Sequence, residues 1–281
     1  MLKGVDGEMN EEVKAYVVTS GKGGVGKTTV TANIGAALAL LGYKIVLVDA
    51  DVGLRNLDLV LGLENKIIFD VSDVIEGRCR SYKQALIKDK RFNQGSLYLL
   101  PAPQTKQKED IEPQAFKNVI QEIKNDFDFI FIDCPAGIEH GFKMAVYAAD
   151  EAIVVTTPDL SSIRDADRVI ATLESLERFS PKLVINRLKK HMVKKSQMLS
   201  VEDILETLKI DLLGIIPDDE YITISTNHGE PVVLSKSKPL AKYFINIAKR
   251  LVDPSVSIEN PFNDSNFIEK IVSLVGIRKK L

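Results

Sequence analysis

Gly21-Lys22-Gly23-Gly24-Val25-Gly26-Lys27-Thr28-Thr29 is the stretch on which the fold of this chain turns. Gly21, Gly26, Lys27 and Thr28 fit G-x-x-x-x-G-K-[ST], the spacing of a phosphate-binding loop. The flanks agree. Ala15 to Thr19 (AYVVT) is a short β-branched and aromatic run that reads as a buried parallel strand. Thr28 to Leu41 is rich in Ala, Leu and Ile and reads as a helix stopped by Gly42. Strand, Gly-rich turn and helix together aim backbone N–H groups and the positive end of a helix at an anion. Gly21, Gly23, Gly24 and Gly26 carry no Cβ, so the chain can wrap closely around phosphates. Lys27 supplies an ammonium for the β- and γ-phosphates, and the Thr28 hydroxyl suits Mg²⁺, a hard cation that prefers oxygen.

Outward from the loop, short apolar strands alternate with helices. Strands are expected at Lys44–Asp49, Leu97–Leu100, Phe127–Asp133, Glu151–Thr157, Lys182–Asn186 and Leu212–Pro217. Helices are expected at Pro113–Asn125, at Ser161–Phe179 with Ser161 or Ser162 as cap, at about Val201–Lys209, and at Lys238–Val252. This pattern specifies a single-domain α/β P-loop NTPase, with a mostly parallel twisted sheet covered by helices on both faces. The domain spans residues 15–252, after a polar leader at 1–14 that reads as flexible. It is followed by a Pro-, Asn- and Ser-containing tether at 253–266 that also reads as flexible. With 281 residues and 45% hydrophobic side chains there is ample chain for a large core. A net charge of −2 argues against a broad nucleic-acid surface, so no specific nucleic acid is expected. Cys79 and Cys134 form no Cys-x-x-Cys and read as reduced thiols of a cytoplasmic protein.

In such a sheet, ligands sit at the carboxyl ends of strands. Asp49 and Asp51 follow the KIVLV strand, and Asp133 ends FIFI. An apolar strand ending in Asp matches the arrangement that holds a Mg²⁺ shell, which makes Thr28, Asp49 and Asp133 the metal candidates. Asn186 ends KLVIN and Pro217-Asp218 ends LLGIIP, both where a base would lie.

Lys22 exceeds what the simple motif requires, because a second lysine in the loop is unfavourable unless another negative charge meets it. The run Lys22 to Thr28 resembles the deviant P-loop of the MinD/ParA ATPases. That resemblance implies ATP and Mg²⁺ as cofactors. It also implies a homodimer sandwiching ATP, in which Lys22 reaches the partner's nucleotide and joins Lys27 and Asp51 in catalysis. It makes VDADVGLRNLDLVLG a first switch, with Asp51 orienting the attacking water and Asp49 supporting the metal. Asp133-Cys134-Pro135-Ala136-Gly137 becomes a second switch, in which Gly137 reports hydrolysis. Asn186 and the Pro217-Asp218 loop are given the adenine. Residues 53–59, 84–91, 135–139 and 161–165 resemble the septum-site-determining branch of the family. That branch implies a MinC-like division inhibitor and a MinE-like activator as partners, with the Ser162–Arg168 region as a place for partner contacts. A ParA-type DNA-partitioning ATPase would need basic patches and no membrane tail. A flagellar-number regulator of the same family usually carries an extra N-terminal helix that this leader does not resemble. An iron–sulfur electron carrier would need cysteines elsewhere.

Near the end, Phe267, Ile268, Ile271, Val272, Leu274 and Val275 fall in one helical sector, with Arg278, Lys279 and Lys280 beyond. Residues 267–281 read as an amphipathic membrane-targeting helix, the other reading being a helix docked on the protein's own surface. Six apolar side chains contribute up to ~1.5–3 kcal/mol each when buried, against ~1 kcal/mol or more per residue ordered. One copy therefore binds anionic inner-membrane lipids weakly. Two copies on a dimer gain roughly 10²-fold through effective concentration. The expected location is cytoplasmic, peripheral on the membrane when ATP is bound.

Overall fold

The computed structural model describes residues 13–104, 106, 110–177, 179–235 and 239–262. Eight strands form one sheet in the order β3-β4-β2-β5-β1-β6-β7-β8. They are β1 (Ala15–Thr19), β2 (Lys44–Asp49), β3 (Ile87–Asp89), β4 (Ser96–Leu100), β5 (Phe129–Asp133), β6 (Glu151–Thr156), β7 (Lys182–Leu188) and β8 (Asp211–Pro217). Every pairing is parallel except β3 with β4. Successive residues of β1 feed opposite layers: Val17 lies in one apolar cluster and Val18 in the other. The strands are buried on both faces, which is why they read as continuous apolar runs.

On one face pack α1 (Lys27–Leu40), α2 (Leu57–Leu61) and α10 (Ala241–Val252). On the other pack α3 (Val71–Ile75), α4 (Pro113–Lys124), α5 (His140–Ala148), α6 (Leu160–Glu174) and α8 (Val201–Leu208). α7 (Lys190–Lys194) and α9 (Glu220–Asn227) lie at the carboxyl edge and bury little. α1 is buried almost all round, as its Ala- and Leu-rich sequence requires. α4 buries Phe116, Val119, Ile120 and Ile123, a 3-4-7 stripe behind Pro113 in its first turn.

Several boundaries differ from the sequence reading. α6 is capped by Asp159, whose carboxylate accepts the Ser162 N–H at 3.0 Å, not by Ser161 or Ser162, and it ends at Glu174. β7 runs past Asn186 to Leu188 through a bulge that puts Arg187 at φ 58°. β3, α5 and α9, and the short helices α2, α3 and α7, are absent from the sequence reading. Residues 253–262, read as a flexible tether, are fastened along α10. Asn246 holds Ser257 and Glu259, and Lys242 pairs with Glu259 at 2.6 Å. Arg250 grips the backbone of Leu213 and Val256. Residues 263–281, including the amphipathic segment Phe267 to Val275, lie outside the described residues. No helix among the described residues is long and apolar enough to cross a membrane.

Candidate functional site

The site forms where β1, β2 and β5 end side by side. β1 delivers the loop at 20–26, and α1 starts at Lys27. Gly24 (φ 80°) and Gly26 (φ 89°) take left-handed backbone, which other side chains strain to adopt. No side chain caps the N-terminus of α1, so its N–H groups are presented to an anion in the loop. Buried Val25 pins the loop from below, and its carbonyl accepts the Asn186 side-chain amide at 2.7 Å. Thr28 and Thr29 stand partly buried in the first turn of α1.

Gly21 has a role that the phosphate pattern does not reveal. A Cβ there would lie 2.2 Å from the carbonyl carbon and oxygen of Asp165 in α6, so this glycine lets loop and helix touch. A Cβ on Gly23 would meet nothing within 4 Å.

Lys27 is buried, and its Nζ lies 2.9 Å from Asp133 Oδ1, while the Thr31 hydroxyl sits 3.2 Å from the same oxygen. Burial works against the ammonium, but Asp133, Cys134 and Asp49 together outweigh it and hold the Lys27 pKa above its usual range. Asp49 is the register partner of Asp133 across the β2–β5 pairing. Burial, reinforced by the Asp133 charge, pushes Asp49 up to about 7. Its oxygens accept the backbone N–H groups of Asp51 (2.9 Å), Asn56 (3.3 Å) and Leu57 (3.2 Å). The carboxylate expected to support a metal thus also organises the turn between β2 and α2. Asp51 is partly buried in that turn, and its carbonyl accepts the Leu54 N–H at 3.2 Å. Past Asp133, Gly137 sits at φ 91° and donates its N–H to the Ser20 carbonyl at 3.0 Å, tying the stretch expected to be the second switch to the start of the loop. Cys134 is fully buried, and burial foremost pushes its thiol up to about 12.

Lys22 is exposed and donates to the Ser161 hydroxyl at 2.8 Å, which in turn donates to Asp159 at 2.8 Å. Burial alone would raise the Asp159 pKa. Hydrogen bonds from Thr157, Ser162 and Ser161 win, and the carboxyl lies far below its usual range.

Beside the loop lies a cavity of about 480 Å³, lined by Gly26, Thr29 and Asn186, then by Asp218 and by Ile222 and Thr223 of α9. Its size suits a nucleoside. Asn186 and Asp218, the residues expected to meet the adenine, both line it, while Pro217 faces an adjoining cavity of about 590 Å³. Both ends of the Asn186 amide already bond inside the protein, to Val25 and to the Arg187 N–H at 3.0 Å. The sequence reading misses Arg187, Asp219, Ile222 and Thr223. Of these only Asp219, in the Asp-Asp-Glu that follows a strand end, leaves a trace in sequence as a helix cap.

No cluster of three His, Cys, Asp or Glu that would cage a metal exists among the described residues. The Thr28 hydroxyl in the first turn of α1 and the carboxylates ending β2 and β5 are oxygen donors, which suits a cation that takes most of its ligands from phosphate and water, as Mg²⁺ does. An uncapped helix start, a left-handed Gly loop, a buried lysine on a strand-end carboxylate and an adjoining nucleoside-sized cavity define a P-loop nucleotide-binding protein.

The comparison with known proteins narrows that class. The chain belongs to the CobQ/CobB/MinD/ParA nucleotide binding domain family, which matches residues 16–232. It is 50% identical over 267 residues to the septum site-determining protein MinD of Bacillus subtilis, covering 94% of this chain and 99% of that protein. The solved MinC:MinD cell division protein complex of Aquifex aeolicus contains a chain 50% identical to this one. They superpose with a TM-score of 0.81 over 88% of this chain and 98% of that one. MinD complexed with Mg-ADP from Pyrococcus horikoshii is 31% identical, with a TM-score of 0.76, covering 86% of this chain and 96% of that one. Within the family, the chain belongs to the MinD branch.

Proposed function

We propose that this chain is a Mg²⁺-dependent ATPase that dimerises around ATP, associates peripherally with the cytoplasmic face of the membrane, recruits a MinC-like division inhibitor and helps place the division septum. The observation that carries this reading is the loop itself: Lys27 buried on Asp133 beneath an uncapped helix start, with a second lysine, Lys22, held at the front of the loop. The MinD proteins of Bacillus subtilis and Aquifex aeolicus, each 50% identical to this chain, support the division role. The Pyrococcus horikoshii complex supports Mg²⁺ with an adenine nucleotide.

Phosphoryl transfer asks a protein mostly for position and charge neutralisation. Lys27 and the α1 N-terminus hold the phosphates. Thr28 and Asp133 would hold the shell of a Mg²⁺ ion, with Asp49 supporting them, and the ion would supply charge neutralisation. Asp51 orients the attacking water. Lys22 leaves Ser161 for the partner's nucleotide, and Gly137 follows the γ-phosphate. The 480 Å³ cavity takes the adenine between Asn186 and Asp218. Turnover is slow and raised by a MinE-like activator, with the Ser162–Arg168 face of α6 as partner surface. Residues 267–281 supply the membrane contact, strengthened by pairing two tails in the dimer.

Co-sedimentation with anionic vesicles tests this reading. The full chain should bind with Mg-ATP, not with Mg-ADP, and a chain truncated before Phe267 should not bind. Equal binding with both nucleotides, or ATP-dependent retention on DNA instead, would overturn it.

A further inference from the structure

Away from the phosphate loop, Arg91 makes a dense set of hydrogen bonds. It follows β3, and its Nε and Nη2 grip Asp89 at 2.9 and 2.6 Å. Asp89 is fully buried, so the guanidinium is held in one orientation. The rest of the fork donates to two backbone carbonyls. Nη2 reaches Leu61 at 2.5 Å, the last residue of α2, and Nη1 reaches Gly229 at 2.9 Å, just beyond α9. At the same point the two segments meet backbone to backbone. Gly62 and Gly229 both take left-handed φ, and a Cβ on Gly229 would lie 2.5 Å from the Gly62 Cα.

The far ends of these two helices reach different parts of the nucleotide site. α2 has five residues, and its first N–H, from Leu57, is accepted by Asp49. α9 has eight residues, and its Ile222 and Thr223 wall the nucleoside cavity. α9 fully buries only Ser225 and rests Tyr221 and Ile222 half-buried on the core, so the contacts at its ends add to a thin apolar footing. One end is set by Asp219, whose carboxylate accepts the Tyr221 N–H at 2.8 Å, and the other by the Arg91 clasp.

We infer that Arg91 is a positioning residue that couples occupation of the base cavity to the turn held by Asp49. A base that settles against Ile222 and Thr223 fixes α9. The clasp passes that restraint to Leu61, and α2 carries it to the Leu57 N–H. Lysine at position 91 would keep the charge on Asp89 but lose the planar fork that holds two carbonyls at once. The inference rests on the nucleotide-binding reading above.

Amide hydrogen exchange on the full chain tests it, with Mg-ADP and with Mg-pyrophosphate, which fills a phosphate site but carries no base. In the wild type, ADP should slow exchange in residues 57–61 roughly tenfold more than pyrophosphate does. In Arg91→Lys, ADP should still protect residues 220–227, which also shows that the variant is folded and loaded. The extra protection of 57–61 should fall below about twofold. Equal protection of 57–61 by ADP and pyrophosphate in the wild type would overturn the coupling, whatever the variant does. So would retention of the extra protection in Arg91→Lys, since a merely structural arginine leaves that difference unchanged. Absence of any ADP effect on residues 21–29 would instead refute the nucleotide reading, and the coupling with it.

Discussion

Gly21→Ala should destabilise the empty protein, whereas Gly23→Ala should not, although both glycines belong to one phosphate motif. At Gly21 the new methyl would stand 2.2 Å from the Asp165 carbonyl carbon and oxygen and 2.7 Å from the Ala166 nitrogen. Ordinary contact begins near 3.4 Å, so loop and helix must part by more than an ångström. The obstructing atoms are helix backbone, which cannot rotate away as a side-chain tip can, and α6 is buried against the sheet through Ile163, Ala166, Val169, Ile170 and Leu173. Overpacking of this kind costs about 1–3 kcal/mol, and the rigid neighbour places it at the upper end. At roughly 2–4 °C per kcal/mol for a domain of this size, Tm should fall by about 5–10 °C. A methyl on Gly23 meets nothing within 4 Å, so its effect should stay within about 0.5 kcal/mol. Thermal unfolding by circular dichroism without nucleotide makes the comparison. An unchanged Tm for Gly21→Ala, or an equal fall for Gly23→Ala, would refute the packing argument.

Lys27→Met strands Asp133 buried beside Asp49 and should cost about 3–5 kcal/mol, while the double variant Lys27→Met/Asp133→Asn should recover part of that; urea unfolding of both decides, and a double variant no more stable than the single one counts against the pairing. Asp49 stands at about 7 when folded, against a carboxylate near 4 in the unfolded chain, so the folded state holds an extra proton between those values, and the stability from this group is complete below about pH 4 and lost as pH rises to 7. In metal-free buffer, wild type should therefore lose stability relative to Asp49→Asn between pH 5 and 7.5, and a pH-independent gap would contradict the shift. Both thiols are buried and raised by burial, Cys134 to about 12, so the native protein at pH 7.5 should react with an aromatic disulfide reagent far more slowly than the urea-unfolded chain.

The parallel core was legible because its strands are buried on both faces and leave continuous apolar runs. The elements that escaped leave no such trace. β3 is three residues at an edge, with Lys88 exposed between two buried neighbours. α9 buries one serine and has no apolar stripe to find. α5 begins at His140, three residues past the end of the Asp133–Gly137 stretch, whose Gly and Pro read as loop. The phosphate loop was legible because its chemistry is local, nine consecutive residues with fixed spacing. What each residue touches was not, because the partners lie far along the chain. Gly21 meets Asp165, Lys22 meets Ser161, Val25 meets Asn186, and Arg91 meets Leu61 and Gly229. Asp89 and Arg91 sit two residues apart, yet their spacing says nothing about the two carbonyls that the guanidinium also holds.

The strand-end charges bear on the switching proposed for the turn after β2. Lys27 is shared with Asp133, and Asp133 in turn burdens Asp49. Asp49 holds the turn through three backbone N–H groups, each worth about 0.5–1.5 kcal/mol net. A unit charge arriving about 4 Å away at an effective dielectric near 20 changes the balance by roughly 4 kcal/mol. The two quantities are of the same size. An anion that draws Lys27 away from Asp133 leaves more negative charge beside Asp49, so the three N–H bonds are contested rather than secure. Were they much stronger, the turn would ignore the nucleotide, and were they much weaker it would have no fixed resting form. The second tie, from Gly137 to Ser20, is a single backbone bond on a left-handed residue, and it lies on the same scale. The turn after β2 is thus held to the end of β2, and the Asp133–Gly137 stretch to the start of the phosphate loop, by interactions of the size that a phosphate bound as proposed would contest.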